Sequence, residues 1–153
     1  MKVNQSENEQ AQQLNDWYGN GSDGSCPTMT QWQNILSQPT EGSITLVNFF
    51  KFRTKALYPQ DHIDHNSVIS GNDAFDRYAA VSIPTMERIG GNFLYVGPFV
   101  GTLMGGEEDW DIVAMGRYPD LTSFLNLYSD ADYRKAFIHR SAACERQKVL
   151  HLS

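Results

Sequence analysis

Basic side chains and long apolar runs are scarce in this chain. It has 12 Lys and Arg against 18 Asp and Glu, which gives a formal net charge of −6. An acidic balance gives no electrostatic support for binding nucleic acid. No apolar run approaches the roughly 20 residues that a membrane-spanning helix needs, and the opening sequence MKVNQSENEQAQQ lacks the apolar core of a signal peptide. We therefore expect a cytoplasmic protein with neither nucleic-acid nor membrane partners.

Cysteine is scarce as well, and Cys26 and Cys144 are the two thiols of the chain. Neither lies in a CxxC motif or at a metal-ligand spacing from histidine. Reduced thiols are the default for such a chain, although the sequence leaves a Cys26–Cys144 disulfide open.

The sequence DHIDHN (Asp61–Asn66) interleaves His62 and His65 with two aspartates. It is either a metal site or a solvated polar loop. We favour the loop, because two histidines on a loop fix no coordination geometry and no third ligand is indicated. We predict no metal and no cofactor.

The stretch Ser43–Arg53 (SITLVNFFKFR) dominates the structural signals that are present. β-branched and aromatic residues without Gly or Pro predict a strand, in which side chains alternate between two faces. One face carries Ile44, Leu46, Asn48, Phe50 and Phe52, and the other carries Thr45, Val47, Phe49, Lys51 and Arg53. Both faces are largely apolar, so the strand needs cover on both sides.

Residues 1–42 are predicted to form an N-terminal appendage on a domain that comprises residues 43–153. The first 15 residues are rich in Gln, Asn and Glu and predict either a short polar helix or no stable structure. A flexible linker follows at Gly19–Ser25 (GNGSDGS), and then a helix at Thr28–Ser37. We expect Trp17 or Trp32 to pack onto the domain or onto a partner subunit.

The rest of the chain predicts alternating helices and strands. The first helix is capped by Asn72 or Asp73 and ends at Gly90-Gly91. Two strands follow, Asn92–Leu103 with a bulge or edge at Gly97-Pro98, and Trp110–Tyr118. The second helix is capped by Asp120, is broken at Ser129-Asp130 and ends near Ala143, and the last strand is Arg146–Leu152. The order βαββαβ is that of a ferredoxin-like α+β fold, an antiparallel sheet with two helices on one face.

Two helices cover only one face of such a sheet, and the other face would normally be polar in a monomer. Here it is predicted to be apolar. We therefore expect a C2 homodimer in which the open sheet faces of two copies pack together. The alternative is that the 42 residues of the appendage cover the open face within one chain, although their apolar content is low.

Several of these segments together resemble a known family. They are VNFFKFR (Val47–Arg53), SGNDAFDRYAAVSIP (Ser70–Pro84), GGNFLYVG (Gly90–Gly97), WDIVAMGRYPDLTSFLNL (Trp110–Leu127) and DADYRKAFIHRSAA (Asp130–Ala143). Over roughly the last two-thirds of its length the chain is similar to the domain of unknown function thirteen-thirty family, which belongs to the dimeric α/β-barrel superfamily. The resemblance implies the fold and the dimer.

The wider superfamily includes cofactor-independent monooxygenases, muconolactone-isomerase-like enzymes, polyketide cyclases and haem-degrading oxygenases, and fold alone does not choose among them. Its haem-degrading members use an Asn on the first strand with a Trp and a His on the second long helix. Asn48 fits the first position, but Leu127 and Phe137 occupy the other two, so the resemblance does not extend to haem.

A cleft between sheet and helices is where such folds tend to keep small ligands. The polar residues that could face it are Asn48, Arg53, Tyr78, Arg117, Tyr118, His139 and Arg140. We predict catalytic roles for His139, as acid or base, and for Asn48, whose buried amide needs a partner. The arginines Arg53, Arg117 and Arg140 could hold a carboxylate or enolate, with Tyr78 and Tyr118 as further substrate contacts.

Each of these residues also has a purely structural interpretation: ion pairing for the arginines, a helix-dipole contact for His139 and core packing for the tyrosines. The sequence therefore leaves two functions. One is a homodimeric, cofactor-independent enzyme of isomerase, cyclase or monooxygenase type. The other is a non-catalytic small-ligand-binding or assembly module, which a cleft plugged by Tyr78, Phe124 and Phe137 would favour.

Overall fold

The computed structural model describes residues 5–153, which contain five helices and four strands. They are α1 (Gln5–Tyr18), α2 (Met29–Leu36), β1 (Ile44–Phe52), α3 (Gly71–Arg88), β2 (Asn92–Pro98), β3 (Ile112–Tyr118), α4 (Leu121–Ser129), α5 (Ala131–Ala143) and β4 (Cys144–Leu152). The strands form one antiparallel sheet in the order β2-β3-β1-β4. The predicted ferredoxin-like α+β fold is confirmed. No helix within these residues is long and apolar enough to cross a membrane.

The side chains of β1 alternate between the two faces of the sheet. Ile44, Leu46 and Phe50 are buried and belong to the cores that also contain helical side chains. Val47 and Phe49, on the opposite face, are only partly buried. The helices therefore cover one face, and the other stays open.

Capping side chains set the helix boundaries. Asp120 accepts from the Ser123 N–H at 2.7 Å, and Asp130 accepts from the Tyr133 N–H at 2.9 Å. These contacts confirm the two predicted caps and the break between α4 and α5. The predicted cap of α3 at Asn72 or Asp73 is wrong, because the hydroxyl of Ser70 accepts from the Asp73 N–H at 2.9 Å and α3 begins at Gly71.

Strand β2 is shorter than predicted, and its bulge lies elsewhere. It ends at Pro98, which has no N–H to continue the ladder, instead of at Leu103. The register with β3 shifts between Phe93 and Tyr95, so a bulge at Gly97-Pro98 is wrong. This shift places Phe93 and Val96 on the helical side and Tyr95 on the open face. The alternative prediction, an edge, is confirmed, because β2 is an edge strand of the sheet.

The ends of two other strands also differ from the prediction. β3 begins at Ile112 instead of Trp110, and β4 begins at Cys144, two residues before the predicted Arg146. The backbone N–H of Asp111 donates to Phe50 O at 2.8 Å, so the chain reaches the sheet just before β3 starts.

The appendage packs on the helical side of the same chain. Trp32 is 1% exposed, and its ring meets Tyr128 edge-on at 5.3 Å. The Tyr18 hydroxyl donates to Tyr128 O at 2.6 Å, and the Arg134 guanidinium lies 4.2 Å from the centre of the Trp17 ring. Residues of α1 and α2 thus contribute to the main core and do not use their aromatic side chains to cover the open sheet face. The first four residues of the predicted appendage lie outside the described part of the chain.

The start of α3 requires glycine at position 71. A Cβ there would collide with Arg53 O and come within 2.6 Å of Ala143 O, both of which are backbone atoms. We expect Gly71→Ala to lower the free energy of unfolding by about 1–3 kcal/mol through overpacking, measured by urea denaturation. Gly101→Ala is the control, since nothing lies within 4 Å of its added Cβ. Equal stability of the two variants would contradict this close packing.

Candidate functional site

A cavity of about 430 Å³ lies between the sheet and the helices, within the range of about 300–1,000 Å³ that is typical of ligand pockets. We call it the sheet–helix cavity. It brings together the predicted residues Asn48, Tyr78, Tyr118 and Arg140. Asn48 and Tyr118 come from the helical face of β1 and β3, whereas Tyr78 and Arg140 come from α3 and α5.

Arg140 is the charged centre of this cavity, although it is only 4% exposed. Its Nε donates to Gln147 Oε1 at 2.8 Å, and one terminal nitrogen donates to the Tyr78 hydroxyl at 3.1 Å. The guanidinium carbon lies 4.9 Å from the centre of the Phe50 ring and 5.3 Å from that of Phe137. Within residues 5–153, no carboxylate forms an ion pair with it. The partners of this buried cation are therefore neutral.

Two tyrosines fix the position of Arg140. The Tyr78 and Tyr133 hydroxyls are 2.7 Å apart, and Tyr78 in turn accepts from Arg140. Tyr133 also lines the cavity and was missed as a site residue, because its place in an apolar helical pattern indicates packing. The spacing held a signal: Tyr133 precedes Arg140 by two helical turns and so shares its face of α5.

Asn48 and Tyr118 leave polar atoms available in the cavity. Asn48 Nδ2 donates to Ala114 O at 3.1 Å, and no described residue donates to its Oδ1. The Tyr118 hydroxyl has no hydrogen-bond partner among residues 5–153 and lies in a side chain that is mostly buried. Burial raises the pKa of Tyr118, so the group stays protonated and can donate to a ligand.

Arg53 and Arg117 do not line this cavity. Arg117 pairs with Thr45 in the β1–β3 register, which puts it on the open face, where it is exposed and donates to Ser43 Oγ at 3.0 Å. Arg53 follows β1, and its backbone N–H donates to Ala143 O at 2.8 Å. Strand alternation explains the position of Arg117, which has the opposite parity to Tyr118. Arg53 lies just beyond the end of β1, and its buried Nε has no hydrogen-bond partner within residues 5–153.

His139 also lies away from the cavity lining. Its Nδ1 is 2.7 Å from the Tyr58 hydroxyl, and its ring centre is 6.2 Å from that of His62. His139 directly precedes Arg140, and adjacent residues in an α-helix point about 100° apart. Arg140 points into the cavity, and His139 contacts Tyr58 in the loop after β1, so the structure does not bring His139 to the cavity lining.

The histidines of the DHIDHN segment serve the loop itself. His62 Nδ1 accepts from the Asp64 N–H at 3.0 Å, and His65 Nδ1 lies 3.0 Å from Tyr58 O. An Arg77 terminal nitrogen is 3.4 Å from Asp64 Oδ2. Over residues 5–153, no three His, Cys, Asp or Glu side chains converge as metal ligands would. Both cysteines are free thiols.

The fold and the cavity define a ferredoxin-like α+β protein with a ligand-sized space under its helices. The chain belongs to the family described as domain of unknown function (DUF1330), whose model matches residues 63–151. This match confirms the family resemblance found in the sequence. A search of curated proteins found no match.

The chain is similar to several solved structures. The RPA0582 protein of unknown function from Rhodopseudomonas palustris, a structural genomics target, is 31% identical with a TM-score of 0.74, and the match covers 83% of this chain and 93% of that chain. Its methylated form gives 31% identity, a TM-score of 0.75 and coverage of 84% and 92%. A dimeric protein of unknown function with a ferredoxin-like fold from Bacteroides fragilis NCTC 9343 is more distant, at 13% identity and a TM-score of 0.46, with coverage of 75% and 99%.

The environment of His139 predicts a pH-dependent stability. Burial and the positive Arg77 hold the pKa of His139 below its usual value, against an opposing effect of Asp64. Because folding favours the neutral imidazole, this contribution is present above the unfolded-state pKa of about 6.5 and is lost as the pH falls below it. We expect the melting temperature to fall between about pH 7 and about pH 5, and to fall less in His139→Gln.

His151→Gln, at an exposed position on β4, is the matched control and should keep the pH dependence of the wild type. The measurement is differential scanning calorimetry at both pH values. An unchanged pH dependence in His139→Gln would show that other groups cause it.

Proposed function

We propose that this chain binds a small organic acid in the sheet–helix cavity, with Arg140 holding the anionic group. The observation that carries the proposal is a guanidinium buried among neutral partners. A carboxylate accepts two parallel N–H bonds from such a group. Asn48 Oδ1 and the Tyr118 hydroxyl add one acceptor and one donor for the rest of the ligand.

The energetics favour an anion at this place. Moving a cation out of water costs several kcal/mol, and arginine stays charged in proteins. The rings of Phe50, Tyr78 and Phe137 offset part of that cost at about 0.5–2 kcal/mol each. A bound carboxylate supplies the opposite charge that no described residue supplies.

The same arrangement suits a cofactor-independent enzyme of isomerase, cyclase or monooxygenase type that acts on an enolisable acid. Arg140 and the protonated Tyr118 would stabilise the negative charge of an enolate. We propose Asp76 on α3 as the base, because it lines the cavity and His139 does not. Tyr78 and Phe124 line the cavity without filling it, which favours ligand binding over a plugged assembly module.

Replacing Arg140 by Met tests this proposal, because Met fills a similar volume without charge. We expect Arg140→Met to abolish benzoate binding in calorimetric titration. Without ligand it should unfold at the same or a higher temperature, as a buried, unpaired charge is removed. Arg117→Met, on the open face, should bind benzoate like the wild type, and benzamide should bind none of the proteins.

A marked loss of stability in Arg140→Met together with no benzoate binding to the wild type would assign Arg140 a structural role. Catalysis is tested by deuterium exchange at the methylene group of phenylpyruvate, followed by NMR. Exchange that the wild type accelerates and Arg140→Met does not supports the enzyme, whereas binding without exchange supports the non-catalytic module.

We further propose that a second copy of this chain covers the open sheet face. Cross-strand register aligns Tyr95, Met115, Val47 and Leu150 across that face. Tyr95 is 49% exposed and Leu150 is 42% exposed. The appendage packs on the other side, so this apolar surface needs a partner, and a twofold interface lets one surface cover its own copy.

Met115→Lys tests this dimer, since Met115 lies on β3 near the middle of the open face. We expect the wild type to sediment as a dimer and Met115→Lys to shift toward the monomer. The control is Leu103→Lys, which makes the same kind of change in the fully exposed loop after β2 and should stay dimeric. A monomeric wild type would contradict the proposal.

A further inference from the structure

A second cavity, of about 690 Å³, lies between the appendage and the edge strand β4. We call it the appendage chamber. One wall comes from the loop and helix between Gly24 and Ile35, and the other from residues 147–152 of β4. The chamber exists because the appendage packs on the helices, and the sequence held no signal for it.

The appendage chamber and the sheet–helix cavity share a wall. The side chains that line both are Leu46, Phe124, Tyr128, Arg140 and Val149. Arg140 is the ion in this wall, and the other members are apolar or aromatic. Because Arg140 lines both cavities, it can hold the carboxylate of a ligand whose apolar part lies in the appendage chamber.

Gln147 connects Arg140 to the appendage. Its Oε1 accepts from Arg140 Nε at 2.8 Å, and its Nε2 donates to Ser25 O at 3.2 Å. The position of the guanidinium and the position of the appendage loop are thus coupled through one side chain. The shape of the chamber therefore depends on both hydrogen bonds of Gln147.

Part of the remaining lining suits an apolar chain, although Gln31, Asn34, Lys148 and His151 also line the chamber. Trp32, Ile35 and Phe137 contribute buried apolar surface. The indole N–H of Trp32 is buried and has no hydrogen-bond partner within residues 5–153. Cys26, a half-buried free thiol, lies at the same wall.

We propose that the appendage chamber receives the apolar chain of an amphipathic organic acid whose carboxylate is held by Arg140. This inference rests on the proposed function and deepens it, because it extends the ligand class from small acids to acids with a medium-length apolar tail. The appendage is then part of the ligand-binding site, and its residues determine the length of ligand that is accepted.

The probes are n-alkanoates from butanoate to octanoate, titrated by calorimetry below their micelle concentrations. Each methylene that enters the chamber should tighten binding about fourfold. Alkylating Cys26 with N-ethylmaleimide at mildly alkaline pH fills part of the chamber. We expect the modified protein to bind butanoate as before and to lose the gain with chain length, whereas the reagent should make no difference to the binding measured with Cys26→Ala. Cys144 is buried and should not be modified.

A second measurement needs no variant. Octanoate in the chamber should slow alkylation of Cys26 at least tenfold at saturation, and butanoate should slow it little. A chain-length gain that survives modification of Cys26, or octanoate that leaves the alkylation rate unchanged, would overturn the chamber proposal while leaving the proposed function intact. If benzoate binds and no alkanoate does, only this inference fails. If neither benzoate nor any alkanoate binds, the proposed function fails, and this inference fails with it.

Discussion

The buried charge of Arg140 is the constraint around which the helical side of this protein is arranged. Its hydrogen bonds go to the neutral side chains of Gln147 and Tyr78, and aromatic rings surround the guanidinium. A core built for stability alone would place an apolar residue there. The arrangement makes physical sense for a protein that keeps an unpaired positive charge for an anionic ligand.

The side chains of the strands alternate between two faces of the sheet, which carry different groups. On the helical face, Asn48 and Tyr118 join Arg140 around the sheet–helix cavity. On the open face, Val47 and Met115 form part of an apolar surface that the appendage does not cover. In our two proposals, ligand binding and assembly use opposite faces of the same four strands.

The element order and the caps at Asp120 and Asp130 could be predicted from sequence, because periodicity and capping are local. Whether a candidate site residue lines the cavity depends on the direction in which its side chain points. Alternation alone places Arg117 on the open face, and the helical rotation between His139 and Arg140 brings only Arg140 to the cavity lining. The appendage chamber was beyond prediction, since contacts such as that between Gln147 and Ser25 join residues 122 positions apart.

Because the chain belongs to a family of unknown function, the chemistry of the cavity has to be tested by experiment. The most direct measurement is a crystal structure with 4-bromobenzoate, with the bromine located by anomalous scattering. Our account predicts bromine in the sheet–helix cavity and carboxylate oxygens within hydrogen-bond distance of the Arg140 guanidinium. A cavity that stays empty while bromine appears only on the open sheet face would contradict it.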